Sequence, residues 1–365
     1  IITGGAVLNF GSFNTLTISP IGNFNDLAIF AALSIILSLL FLVRLSLPNL
    51  VNSLLTALVV LALFLLAVIN FFDIWLIVGL LSLILVTYLL AKDKLSAEPV
   101  SEPARPLFAI SVSAVVFLVS ASFLVFGDGA SEAISRVVSV DYVEVVPSRE
   151  GTLGIARSVL SDSPLLGIGP NRFADAWRLY KDPAINSTIF WETDFNTGSG
   201  FVPTLIINTG IIGAILFGLF QIFFVISSIR ALLTNVKKDD IWYTVTLASF
   251  VASVFVWGMA YIYEPNQAIL LIGALFTGLT LAGVAELVPV RKRMITFITN
   301  QRRGFIMMSL AIVIVANTVI MVMGVSKQYL AQAGFTEAER TATTPEELSA
   351  AAARSYNLFP DDRFA

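Results

Sequence analysis

The chain has 365 residues, 57% of them hydrophobic and 13% charged, against about 25% charged in soluble domains; this is the composition of an integral membrane protein. It has no cysteine and no histidine, which excludes disulfides, thiolate chemistry, cysteine–histidine metal sites and imidazole as a base. A net charge of −3 says nothing about nucleic acid, and no basic patch with nucleic-acid spacing occurs.

Eight segments are long and apolar enough to cross about 30 Å of hydrocarbon: residues 27–43, 53–69, 74–90, 108–126, 204–228, 243–263, 268–287 and 305–324. Each must be helical, because lipid offers backbone groups no partners. The expected fold class is therefore an all-α integral membrane protein of about eight transmembrane helices with one large extracytoplasmic loop containing short helices. Divided by function, residues 1–26 form an N-terminal segment, 27–126 carry spans one to four and 127–203 form the loop. Residues 204–325 carry spans five to eight, and 326–365 form a helical tail. The chain begins at Ile1 and stops at Ala365 in mid-pattern, so we read it as a piece of a longer protein with further spans.

Basic residues set the expected orientation. Alternate connections carry Lys92, Lys94 and Arg105, then Arg230, Lys237 and Lys238, then Arg291, Lys292, Arg293, Arg302 and Arg303, whereas connections 70–73 and 264–267 carry no Lys or Arg. The basic connections are then cytoplasmic; the N-terminal segment, the 127–203 loop and the tail are extracytoplasmic. Trp75, Trp242, Tyr243, Tyr261 and Tyr263 gather at span ends, as an interfacial aromatic belt does. The connection 92–106, rich in Pro, Ser and Glu, reads as a linker.

Polar residues of the 127–203 loop carry the chemistry this sequence offers. Residues 146–157 read as a short amphipathic helix, with Arg149 and Arg157 eight apart and close to one face. Two arginines so placed could grip a diphosphate, or pair with Glu144, Glu150 or Asp162. Residues 163–173 follow, a turn built on Gly167, Gly169, Pro170 and Asn171 that fixes Arg172. The stretch 191–203 sets Glu192, Asp194 and Ser199 just before span five. An acid there could act as general base towards a sugar hydroxyl, or cap the following helix. The spans themselves read as unbroken, with polar groups gathered in one loop, which favours a surface site over a transport path. In the tail, Thr344-Pro345-Glu346-Glu347 reads as a helix start.

One arrangement resembles a known family. Arg149 stands fifteen residues before Pro164 in the block Pro164-Leu165-Leu166-Gly167-Ile168-Gly169-Pro170-Asn171-Arg172-Phe173, and Leu205 with Gly210-Ile211-Ile212-Gly213 opens a helix after a polar loop. This pattern is similar to that of the O-antigen ligase/polymerase superfamily. Residues 22–27 resemble the family's outside loop before a helix, and the tail resembles the first helical pair of a tetratricopeptide array, an extension some members carry.

The resemblance implies a multi-pass transferase of the bacterial or archaeal cytoplasmic membrane. It would move a glycan from a polyprenyl diphosphate carrier to a lipid, glycan or protein acceptor, with no cofactor and no metal. Arg149, Arg172 and Arg157 are the diphosphate-binding residues it implies; Asp194, Glu192 and Ser199 are the catalytic candidates. The tail would offer a surface to a protein partner, and no nucleic acid is involved. The family's His-Asn pair, eleven residues before the glycine matched by Gly210, is Ser199-Gly200 here. Where many members carry an arginine, this chain has residues 70–75, Asn-Phe-Phe-Asp-Ile-Trp. Two other classes compete: a transporter or flippase for lipid-linked glycans, and an inactive membrane scaffold that recruits partners through its tail.

Overall fold

The computed structural model describes residues 19, 21–95, 104–138, 144–234, 241–288, 301–342 and 344–360. It is 84% helical with no strand among the described residues, and eight helices are long and apolar enough to span a membrane. The protein is an all-α, multi-pass membrane protein, and each of the eight expected spans falls within one of those helices, the sixth in all but its last residue, Tyr263.

The first unit, Ser19–Val290, is built around α1 (Phe24–Arg44). Asn23 caps α1 through a reciprocal pair of bonds: its side chain accepts from the Asp26 N–H, and the Asp26 carboxylate accepts from the Asn23 N–H. Twelve of the 21 residues of α1 are buried, so it must be surrounded. Helices α2 (Asn49–Ile69), α3 (Phe72–Leu95), α4 (Ala104–Val138), α8 (Ile241–Ile262) and α9 (Gln267–Leu287) pack against it. Ala28, Ala31 and Ala32 let neighbours approach closely, while Ile29, Ile35, Leu39, Leu66, Trp75 and Met259 fill the core. The outward faces, such as Leu50, Leu54, Leu61 and Phe64 of α2, are exposed and apolar. Surface of that kind is expected against lipid.

Between α4 and α7 (Phe201–Thr234) lies the polar loop, which contains α5 (Arg149–Asp162), α6 (Phe173–Tyr180) and a 3-10 turn at Pro183–Ser187. The helix expected over 146–157 is α5, starting three residues later. Ser148 caps it by accepting from the Gly151 N–H. Helix α4 runs on to Val138, beyond the expected span end at 126.

Span five corrects the expectation of unbroken helices. Gly210 in α7 has φ 65° and ψ −162°, a region open essentially only to glycine. The break frees backbone groups on both sides, and in hydrocarbon each unpaired group costs several kcal/mol. Residues 164–169 of the loop satisfy them. The Ile168 and Gly169 N–H groups donate to the Ile207 and Asn208 carbonyls (3.0 and 3.1 Å), and the Ile211 and Ile212 N–H groups donate to the Pro164 and Leu165 carbonyls (2.9 and 3.2 Å). Gly167, at φ 64°, faces Gly210 at this junction: a Cβ on Gly167 would lie 2.3 Å from the Ile207 oxygen, and one on Gly210 would lie 2.5 Å from the Gly167 nitrogen.

The second unit contains Arg291–Ala365. Helix α10 (Gln301–Thr341) carries the eighth span and continues unbroken into the tail. Helix α11 (Pro345–Leu358) starts at the expected place, with Thr344 accepting from the Glu347 N–H. The two form a hairpin, with the Ser355 hydroxyl donating to the Ala331 carbonyl at 2.9 Å. Residues 1–18, and with them most of the N-terminal segment, lie outside the described residues, as do the basic connections at 235–240 and 289–300.

Candidate functional site

Residues 198–200 are the hub of the loop, and the sequence explains why. Gly198 is buried against α5 and α6; a Cβ there would lie 2.5 Å from Thr152 Cγ2 and 3.2 Å from Phe173 Cε2. Its N–H donates to Thr204 Oγ1 at 2.9 Å. The Ser199 N–H donates to Thr152 Oγ1 at 2.9 Å. Gly200 lies against the last turn of α8, where a Cβ would come 2.9 Å from the Tyr261 carbonyl oxygen, and the next N–H, of Phe201, donates to the Tyr263 carbonyl in the α8–α9 turn. Two glycines and a serine thus allow four elements to meet around one short segment.

The α5–α6 pair is held below by an apolar cluster of Ile155, Val159, Phe173, Ala176, Trp177 and Ile207. Stretch 191–195 is strapped across α6. Trp177 Nε1 donates to the Thr193 carbonyl (3.0 Å), its ring meets Phe195 edge-on at 4.8 Å, and Arg178 binds Asp194 through Nε (2.9 Å) and Nη2 (2.5 Å). The Tyr180 hydroxyl donates to Asp162 at the end of α5 (2.5 Å).

Arg149 is the first residue of α5, one turn before Thr152, and is exposed. Arg157 is exposed further along the same helix. Neither forms an ion pair among the described residues. Of the acids that could have paired with them, Glu144 is taken by Asn23 (2.8 Å), Asn25 and Tyr263 (2.9 Å), and Asp162 by Tyr180. Arg172 precedes α6 on the expected turn, where Asn171 is left-handed at φ 59°. Its guanidinium binds Asp175 at 2.8 Å and reaches the Ile168 carbonyl at 3.4 Å. It is therefore fixed in place and partly neutralised.

The catalytic candidates separate. Asp194 is exposed, and Arg178 holds its carboxyl below the usual carboxylate range, which makes it a weak base. Glu192 is exposed on the strap. Ser199 is half-buried at the hub, spending its backbone N–H on Thr152.

Glu264 is the group that reading the sequence passed over. It lies in the short α8–α9 turn, half-buried, with Oε2 3.1 Å from Thr204 Oγ1. Burial pushes its carboxyl up from 4.5 to about 7, opposed by the Thr204 hydroxyl. Thr204 has one hydrogen, and the Gly200 carbonyl is nearer at 2.7 Å, so that opposition is weak. The available signal was an acid at a span end, Glu264-Pro265, in a connection without any Lys or Arg. Its neighbour Tyr263 bonds Glu144 and Asn23, and the Asp26 carboxylate accepts from the Asn266 N–H at 2.9 Å. The turn that carries Glu264 is thereby locked to the start of α1.

Where many members of the family resembled above carry an arginine, Asn70 is left-handed at φ 51° and accepts from buried Trp75 Nε1 at 3.2 Å, a structural pairing. Among the described residues no group of three or more Asp and Glu side chains is placed to hold a metal ion. No family model matches the chain, and no curated protein matches it.

Proposed function

We propose that the protein is a glycan transferase that takes its glycan from a polyprenyl diphosphate carrier and passes it to a lipid, glycan or protein acceptor on the extracytoplasmic face of the cytoplasmic membrane. The observation that carries this reading is the junction at Gly210. Backbone pairing between residues 164–169 and the break in span five seats the polar loop directly on the head of a membrane helix. A substrate with an isoprenoid tail in lipid and a charged diphosphate in water needs such a boundary. Arg172 follows the seated segment by three residues, and Arg149 opens the helix that holds Ser199. Arginine suits the diphosphate because its fork of donors binds phosphate oxygens in pairs, and positioned charge at the leaving diphosphate lowers the barrier. The positive-inside distribution supports an extracytoplasmic loop and tail. The α10–α11 hairpin fits the start of a tetratricopeptide-like array and, by that resemblance, a protein-binding role.

A transporter reading gains the broken span, since transporters bind substrates at interrupted helices. Here the four freed backbone groups are taken up by the chain itself, which leaves none of them for a substrate. Arg149→Ala and Arg172→Ala are each expected to lower transfer from purified lipid-linked glycan at least tenfold while leaving membrane insertion intact. Wild-type rates in both variants would remove the diphosphate clamp.

A further inference from the structure

We propose that Glu264 is the proton acceptor of the transfer reaction, receiving the proton of the acceptor hydroxyl at the place where Ser199 and Gly200 stand. This deepens the transferase reading and rests on it.

The geometry leads to Glu264 by a short chain of contacts. Arg149 begins α5; one turn later Thr152 holds the Ser199 N–H; the next residue, Gly200, lies against the end of α8, and the Phe201 N–H after it donates to the carbonyl of Tyr263, next to Glu264. Thr204 ties the two ends together, accepting from Gly198 and standing in hydrogen-bond reach of both the Gly200 carbonyl and Glu264. Ser199 has no imidazole to offer, and Asp194 is engaged by Arg178. Glu264 alone among these groups combines a carboxylate without an ion-pair partner among the described residues, partial burial and contact with the hub.

The titratable surroundings of Glu264 are few. The first turn of α7 and residues 196–200 contain no titratable residue. The end of α8 brings Tyr261 and the turn brings Tyr263; beyond Asn266 lies Asp26 of α1, and beyond the Tyr263 hydroxyl lies Glu144. Among the described residues no cation pairs with the carboxyl to hold it ionised at low pH, and burial raises its affinity for a proton towards neutrality, the range in which a general base works best. In the step itself, the acceptor oxygen bonds to the anomeric carbon. The bond from that carbon to the diphosphate oxygen breaks, its electron pair leaving on the polyprenyl diphosphate. The acceptor proton passes to the Glu264 carboxylate and from there to water.

The test is the pH–rate profile of the full chain in detergent, with a purified polyprenyl-diphosphate-linked oligosaccharide as donor and a hydroxyl-bearing glycan as acceptor. Wild type should show an acid limb near pH 7. Glu264→Gln should lose that limb and about 10²- to 10⁴-fold in kcat, with donor KM within about threefold because the diphosphate contacts are untouched. If Glu264→Gln does not fold, Glu264→Asp decides: its shortened reach should cost at least about tenfold in kcat and move the acid limb. A Gln or Asp variant with wild-type kcat and an unmoved limb overturns the assignment while leaving the transferase reading in place. Absence of transfer by the wild type overturns the transferase reading and this assignment with it.

Discussion

Glu264 illustrates how a single residue's meaning depends on what is folded around it. In the sequence it is an acid beside a proline in a short turn; in the structure it is half-buried with a threonine as its side-chain partner. Burial that raises a carboxyl carries a stability cost with a definite sign. Well below pH 4.5 the group is protonated in folded and unfolded chains alike, and no cost arises. As pH climbs from 4.5 to about 7 the unfolded chain gives up the proton while the folded protein keeps it, so stability falls across that window and levels off once the folded group ionises too. The rise from 4.5 to about 7 amounts to about 3 kcal/mol at full burial, and less for a half-buried group. Glu264→Gln should therefore melt at the wild-type temperature at pH 4.5 and above it at pH 8, measured by thermal unfolding in detergent. A Gln variant less stable than wild type at pH 8 would contradict a burial-driven shift. Arg172 and Asp194 make the complementary point. Both were legible as charged residues near a turn, but their partners, Asp175 and Arg178, follow from where α6 places them.

At the scale of elements, the junction between residues 164–169 and span five decides the loop's position. Hydropathy reads 204–228 as one apolar run, since Gly210 changes neither length nor apolarity, so the break leaves no trace in the pattern. What the sequence does display is the pair of glycines, Gly167 and Gly210, each of which the structure holds at positive φ with the other's backbone where a Cβ would go. Gly210→Ala should cost about 1–3 kcal/mol from backbone strain alone, with the collision against residue 165 and Gly167 added. Gly167→Ala should cost a similar amount through the Ile207 carbonyl. Both variants should melt earlier in detergent and expose loop residues 163–200 to limited proteolysis; a wild-type melting temperature would show that the junction contributes little. Helix α11 was readable because its start carries Thr344 as a cap, and α5 because its residues are amphipathic, although its start at Ser148 was placed by the structure. The extension of α4 to Val138 was not, because a helix can continue past the membrane without an apolar signature.

At the scale of the whole molecule, the absence of cysteine makes orientation directly measurable. Single replacements Ser187→Cys in the loop and Ser349→Cys in α11 should react with a membrane-impermeant maleimide added to intact cells. Arg230→Cys, near the end of α7, should react only after permeabilisation. The reverse pattern would place loop and tail in the cytoplasm and remove the extracytoplasmic reading of the site. Fold class and span count were open to composition and hydropathy alone, because about 30 Å of hydrocarbon forces any crossing segment to be apolar and helical. Those are local constraints, written into each stretch of 20 or so residues. The break at Gly210, the meeting of four elements at residues 198–200, the pairing of Asp194 with Arg178 and the partial burial of Glu264 were decided by tertiary structure. Each depends on groups tens to more than a hundred residues apart finding one another, as Glu264 finds Thr204 and Asn266 finds Asp26. Burial and hydrogen-bond satisfaction act on neighbours in space, and a linear pattern does not record them.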